Sequence, residues 1–178
     1  MICFTERGPW VCRRLFHKLR EAGGECEAVV PGRFLREEWK KEGMKEPGGE
    51  PLSQWTGRMF AEKRGMIFVS AAGIAVRAIA PWVRDKMTDP PVVSVDEGAQ
   101  FVIPLLSGHV GGANGLARRI AEWLRSTPVI TTATDVNGKF AVDLFASVYH
   151  MVITDRKEAK NISAAVLEGK HIGVFRDL

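Results

Sequence analysis

The chain has 178 residues, 46% of them hydrophobic and 26% charged, with a formal net charge of +4 and a pI near 9.1. These are globular proportions, enough for one domain or one domain plus a fragment. They exclude a membrane-spanning helix, since no run of about 18 apolar residues occurs, and a disulfide framework or zinc site, since Cys3, Cys12 and Cys26 are odd in number and form no C-x-x-C pair.

The first ten residues carry an acid at Glu6 and no long apolar stretch, so they do not read as a signal peptide. Together with the unpaired cysteines this points to the reducing cytoplasm, with the thiols buried as packing groups. The mild basic charge suits an anionic small ligand. No long basic run or nucleic-acid motif accompanies it, so no nucleic-acid partner is expected, and no membrane partner either.

Residues 1–5 read as a short buried strand. Val11, Leu15, Leu19 and Ala22 then recur at helical spacing, and Gly23-Gly24 ends that helix. Residues 26–30 read as a second strand. Residues 32–51 are polar, with charges alternating in sign, and read as a solvated surface connection. Ser53 is placed to cap a helix running to about residue 64, followed by a strand over 66–70. Residues 71–81 read as a short apolar helix stopped by Pro81, with Ile74, Ala75 and Ala78 toward the sheet and Arg77 in mid-helix. Strands are expected over 92–95 and 101–106, separated by a turn at 96–98. Beyond residue 138, a helix is expected over 140–146, a strand over 149–153, a helix over 157–167 and a strand over 171–175. The alternation of strands and helices indicates an α/β fold: a three-layer, mostly parallel open sheet with helices on both faces, Rossmann-like. We expect an N-terminal α/β domain over 1–138 and a central segment over 139–178 that packs on it or continues it.

The organising stretch is 104–135, PLLSGHVGGANGLARRIAEWLRSTPVITTATD. It reads as a strand end, a glycine-rich turn, a helix over 111–125, a second strand and a polar tail. Ala113, Leu116, Ala117, Ile120, Ala121 and Leu124 follow i, i+3, i+4, i+7, i+8, i+11 and define the core face. Gly108, Gly111, Gly112 and Gly115 fall roughly opposite, which leaves backbone N–H groups at the helix start open to an anion. A tight turn with no ligand explains the same glycines. Ser107 is a helix cap or a ligand hydroxyl. His109 is the acid–base candidate, histidine being the side chain that ordinarily titrates near neutral pH. Asn114 lies at the same end of the helix. Thr131, Thr132, Thr134 and Asp135 either cap a helix or contact carboxylates, and Asp135 is a candidate to orient His109 or activate water. In an open α/β sheet both groups would come to one edge, outside the carboxyl ends of the strands. Asp85, Asp89, Asp96 and Glu97 read mainly as turn formers. His17, His150 and His171 read as surface or packing residues. No G-x-G-x-x-G, G-x-x-x-x-G-K-[ST] or H-E-x-x-H occurs, which disfavours a standard dinucleotide or nucleoside-triphosphate enzyme.

Three segments, GIAVRAIAP at 73–81, the run from Asp85 to Ala121 that contains LLSGHVGGAN, and PVITTATDVNG at 128–138, resemble the cobalt-precorrin-5A hydrolase family of anaerobic cobalamin biosynthesis. The resemblance covers most of 66–145 and continues more loosely beyond. Over 1–65 its clearest echo is FTERG. It implies an enzyme that opens the δ-lactone of an anionic cobalt-tetrapyrrole and releases acetaldehyde, giving cobalt-precorrin-5B. It implies no protein metal site and no cofactor, because the cobalt is carried by the substrate. On this basis His109 is the base, and Gly111 and Gly112 N–H groups are the oxyanion or carboxylate donors. Ser107, Asn114, Thr131 and Thr132 position the substrate, and Arg77 and Lys86 pair with its carboxylates. Family members commonly carry a further C-terminal domain that is absent from this chain. The alternative is therefore a non-catalytic corrinoid-binding module that needs a missing domain or partner, such as a separate C-terminal domain or another enzyme of the pathway.

Overall fold

Strand β1 (Ile2–Cys3) is followed by helix α1 (Gly8–Glu21), which opens with Pro9 in its first turn and closes on Gly23 at φ 78°. Proline lacks the N–H that a first turn leaves unbonded in any case, and glycine takes the left-handed conformation of a helix end without steric cost. Val11, Cys12, Leu15 and Phe16 form the buried face of α1, while Leu19 is only half-buried and Ala22 is exposed. A computed structural model of the chain describes residues 1–149, 151–173 and 175. They fall into two compact units, Met1–Val129 and Ile130–Leu178.

The first unit holds a five-stranded sheet in sequential order: β1, β2 (Met66–Val69), β3 (Val92–Val95), β4 (Phe101–Leu106) and β5 (Thr127–Pro128). β1, β2 and β3 are mutually parallel, β4 runs antiparallel to β3, and β5 is parallel to β4. Met66, Phe68 and Val92 cluster with Trp55 and Met59 of α3 (Leu52–Ala61) and with Ala75, Ala78 and Ile79 of α4 (Ala72–Ile79). Alternate strand residues point to opposite faces, so the buried Ile67 and Val69 turn toward α1 and α5 (Ala113–Leu124), which pack together on the other side. This is the mostly parallel sheet with helices on both faces that the alternation of elements implied.

The segment over 26–30 forms no full strand. Val29 makes isolated parallel bridges to Ile2 and to Lys45, flanking β1 on the side away from β2. Residues 32–51 are not the plain solvated connection expected. They contain α2 (Glu37–Glu42), whose Trp39 is buried and packs edge-on against Trp10, and Met44 is also buried. Two large apolar side chains outweigh the charge pattern around them, because their burial contributes on the order of 1.5–3 kcal/mol each. Ser53 lies inside α3, whose N-cap position is Pro51.

Glu42, the last residue of α2, ties that helix to α1. Its carboxylate accepts from Arg13 Nε and Nη2, both at 2.7 Å, and meets His17 Nε2 at 2.9 Å. Chiefly the Arg13 hydrogen bond, then His17, lowers its pKa from 4.5 to about 2. A depressed carboxylate contributes stability that is complete above its ordinary value and is lost as pH falls through the folded value. We therefore expect the difference in urea midpoint between the wild type and Glu42→Gln to be present at pH 7 and to shrink between pH 4.5 and 2. A difference that is constant across that window would show that the carboxylate charge is not what joins the two helices.

In the second unit, α7 (Val142–Val148) packs on α8 (Arg156–Leu167), and Asp155 caps α8 by accepting from the N–H groups of Lys157 and Glu158. The strands expected over 149–153 and 171–175 do not form among the described residues. Met151 and Val152 are exposed, with no neighbouring strand to supply the other half of a ladder. His150 and Val174 lie outside the described residues. No helix among the described residues is long and apolar enough to cross a membrane.

Candidate functional site

The direction of β4 decides where the site lies. Residues 96–100 connect β3 to β4, and five residues cannot make a parallel crossover, which needs about a dozen or more. Asp96 organises the link: Oδ1 accepts from the N–H groups of Gln100 and Phe101, and Oδ2 from that of Gly98. Val92 is thus paired with Leu106. The carboxyl ends of β4 and β5 point to one edge, as expected, but that edge is the amino end of β1, β2 and β3.

Residues 107–112 turn the chain from β4 into α5. Ser107 is buried and adopts φ 56°, and its Oγ donates to the carbonyl of Asp89 at 2.8 Å. Asp89 is itself buried and accepts from the N–H groups of Arg84 and Asp85 at 2.8 and 3.1 Å. The Ser107 hydroxyl therefore clamps the loop over 84–89 to the end of β4. Lys86 is exposed on that same loop.

The glycines divide by what they do. A Cβ on Gly111 would lie 2.4 Å from the Cβ of Ser107, and one on Gly108 would lie 2.8 Å from Oδ1 of the buried Asn114. Gly112 occupies the N-cap position at φ 82°. Gly112 and Gly115 are both exposed and clear of any neighbour within 4 Å, so of these two only Gly112, at positive φ, has a backbone reason to be glycine. α5 begins at Ala113, two residues later than the glycine pattern suggested, because the turn consumes the intervening N–H groups. Those of Gly112, Ala113 and Asn114 donate to the carbonyls of His109, Ser107 and Gly108 at 3.0, 3.1 and 2.9 Å. Of the expected donor pair, Gly112 is thus engaged within the turn. His109 is half-buried on this turn, and its backbone helps to hold it.

Arg77 belongs to a different part of the sheet. Its Nη1 donates back to the carbonyl of Gly73 at 3.3 Å, in the first turn of α4, just beyond the carboxyl end of β2. Thr131, Thr132 and Asp135 fall in the second unit, whereas His109 falls in the first. Thr132 is the N-cap residue of α6 (Ala133–Val136), and its hydroxyl donates to the carboxylate of Asp135. The hydroxyl thus bonds a neighbouring side chain and makes no cap hydrogen bond to the backbone of α6.

Sequence reasoning missed a second sheet edge. From β1 the chain passes through α1 on one face toward Val29, and from β2 it passes through α4 on the other face toward β3. The strand order therefore diverges between β1 and β2, and open α/β sheets bind ligands outside the carboxyl ends at such a point. Residues 4–8 and 70–73 form this edge. Thr5 Oγ1 is buried there with no hydrogen-bond partner, and Arg77 reaches the same edge through Gly73. FTERG was the available signal, but its meaning depends on strand order.

A doubly covered open sheet with a divergent strand order and a clamped strand-to-helix turn defines the class: an open-sheet α/β domain. Residues 54–135 match the family model described as cobalamin synthesis G N-terminal. The chain is 41% identical to a cobalt-precorrin-5A hydrolase of Salmonella typhimurium, over 99% of this chain and 48% of that protein. It is 42% identical to a cobalt-precorrin-5A hydrolase of Priestia megaterium, over 67% of this chain and 32% of that one. A solved cobalamin biosynthesis protein G homolog from Sulfolobus solfataricus shares the fold, with a TM-score of 0.53 and 24% identity over 99% of this chain and 50% of that chain. The chain belongs to the cobalt-precorrin-5A hydrolase family, and it spans about half the length of the Salmonella relative.

Proposed function

We propose that this chain acts in the hydrolysis of cobalt-precorrin-5A, opening the δ-lactone and releasing acetaldehyde to leave cobalt-precorrin-5B. The observation that carries this reading is 41% identity, over 99% of the chain, to a protein named for that activity. The family-model match also includes the turn that holds His109.

The chemistry runs in two steps. Water attacks the acyl carbon while a base takes its proton, and the ring C–O bond breaks to leave a carboxylate and an alcohol. The base then removes the alcohol proton, the adjacent C–C bond breaks, acetaldehyde departs, and the electron pair stays with the macrocycle, which takes up a proton. His109 is the base in this reading. The Gly111 N–H and the positive end of α5 favour the oxyanion or a peripheral carboxylate. Ser107, Gly108, Gly112 and Asn114 hold the turn in shape. Lys86 pairs with substrate carboxylates beside the turn and Arg77 does so at the opposite sheet edge. The cobalt arrives with the substrate, so no resident cofactor takes part, and the cytoplasm is the compartment proposed.

The test is to supply cobalt-precorrin-5A anaerobically to the purified chain and to measure acetaldehyde with an NADH-coupled alcohol dehydrogenase. Acetaldehyde is expected in step with substrate loss. Corrinoid binding, seen as an absorbance shift, without any acetaldehyde would place the catalytic group outside this chain.

A further inference from the structure

The exposed apolar side chains are unevenly distributed. Of the large hydrophobic residues that stand exposed among the described residues, only Trp10, Val76, Val83 and Phe101 lie in the first unit, and ten lie in the second. Three of these ten, Phe140, Leu144 and Val148, recur at steps of four along and just before α7, with exposures of 42%, 41% and 61%. Residues four apart share one helix face, so Leu144 and Val148 lie on one apolar face of α7, with Phe140 two residues before the helix begins. Phe140 also lines a cavity of about 450 Å³, with Lys139, Val166, Lys170, His171 and Ile172 among others. This face and the cavity together make an apolar surface. Contiguous exposed apolar patches of this kind mark interaction sites.

We propose that this surface docks the polypeptide that makes up the remaining half of the longer relatives, whether that half is joined to this chain or separate from it. Nearly all of this chain aligns with 48% of the Salmonella protein, so the family fold includes a further portion of about equal size. The concentration of exposed apolar groups in one unit supplies a seat for it. Lys170 at the cavity already pairs with Glu168 at 2.6 Å, so the seat is chiefly apolar and fits a segment that brings apolar side chains. The proposal goes beyond the reaction assigned above and does not depend on it.

The test mixes the 178-residue chain with the separately produced half of the Salmonella relative that it does not cover, and follows association by sedimentation velocity. A 1:1 complex is expected, weakened roughly tenfold or more by Leu144→Asp and unchanged by Val76→Asp, an exposed apolar position of the first unit. Hydrogen exchange on the unmodified chain reads the same surface without a mutation. Residues 140–148 and 166–172 should gain protection in the complex, and those of α4 should not. No complex, a complex indifferent to Leu144→Asp with no protection at α7, or self-association that Leu144→Asp abolishes would each overturn the proposal, the last by making a second copy the occupant.

Discussion

Replacing His109 with alanine is expected to lower kcat for acetaldehyde release by about 10²–10⁴-fold, the usual contribution of a positioned acid–base group, with little change in KM. The turn makes this a clean experiment. Its shape is held by the main chain, through the carbonyls of Ser107, Gly108 and His109 and the N–H groups of Ala113, Asn114 and Gly112, and by the Ser107 hydroxyl on Asp89. None of these bonds needs the imidazole, so the backbone of the turn should keep its shape in the variant. Turnover close to wild type would remove His109 from the chemistry. A loss that appears only in KM would make it a substrate contact. His109→Gln, which can hydrogen-bond but cannot cycle a proton at neutral pH, should be as slow as the alanine variant if His109 is the base.

Phe68→Ala is expected to destabilise the first unit by about 3–5 kcal/mol, the range for truncating a fully buried aromatic residue. Phe68 lies in β2, flanked by β1 and β3, has no solvent exposure and packs edge-on against Trp55 with ring centroids 5.8 Å apart. Its removal opens a cavity between the sheet and α3 that the surrounding close-packed side chains cannot collapse to fill. All five tryptophans, Trp10, Trp39, Trp55, Trp82 and Trp123, lie in the first unit, so tryptophan fluorescence reports that unit's unfolding alone. With a urea dependence of about 1–3 kcal/mol per molar, the midpoint should fall by on the order of 2 M. A shift smaller than about 1 kcal/mol would mean that the face carrying α3 and α4 contributes little to the unit's cohesion.

Helix faces and strand positions were legible in the sequence because burial is written there one residue at a time. The three- and four-residue spacing of Ala113, Ala117, Ile120, Ala121 and Leu124 marks the face that α5 buries, and the segments over 92–95 and 101–106 coincide with β3 and β4. The glycine-rich turn was legible as a turn. Its purpose was not, because Gly111 is required by the closeness of Ser107 and Gly108 by that of Asn114, distances that no local pattern encodes. Trp39 and Met44 were hidden by the charges around them, since alternating sign outweighs two apolar residues in a window average but not in a core.

What the sequence by itself determined was the α/β class, the core faces, and the family, carried by runs such as LLSGHVGGAN and ITTATD. Only the tertiary structure decided the clamp from Ser107 to Asp89 and the divergence of strand order between β1 and β2. The physical reason is that periodicity reports whether a residue is buried, whereas edge, direction and partner depend on how segments far apart in the chain pair. The short link over 96–100 is the exception: its length alone already required a hairpin, and with it the edge to which Ser107 and His109 come.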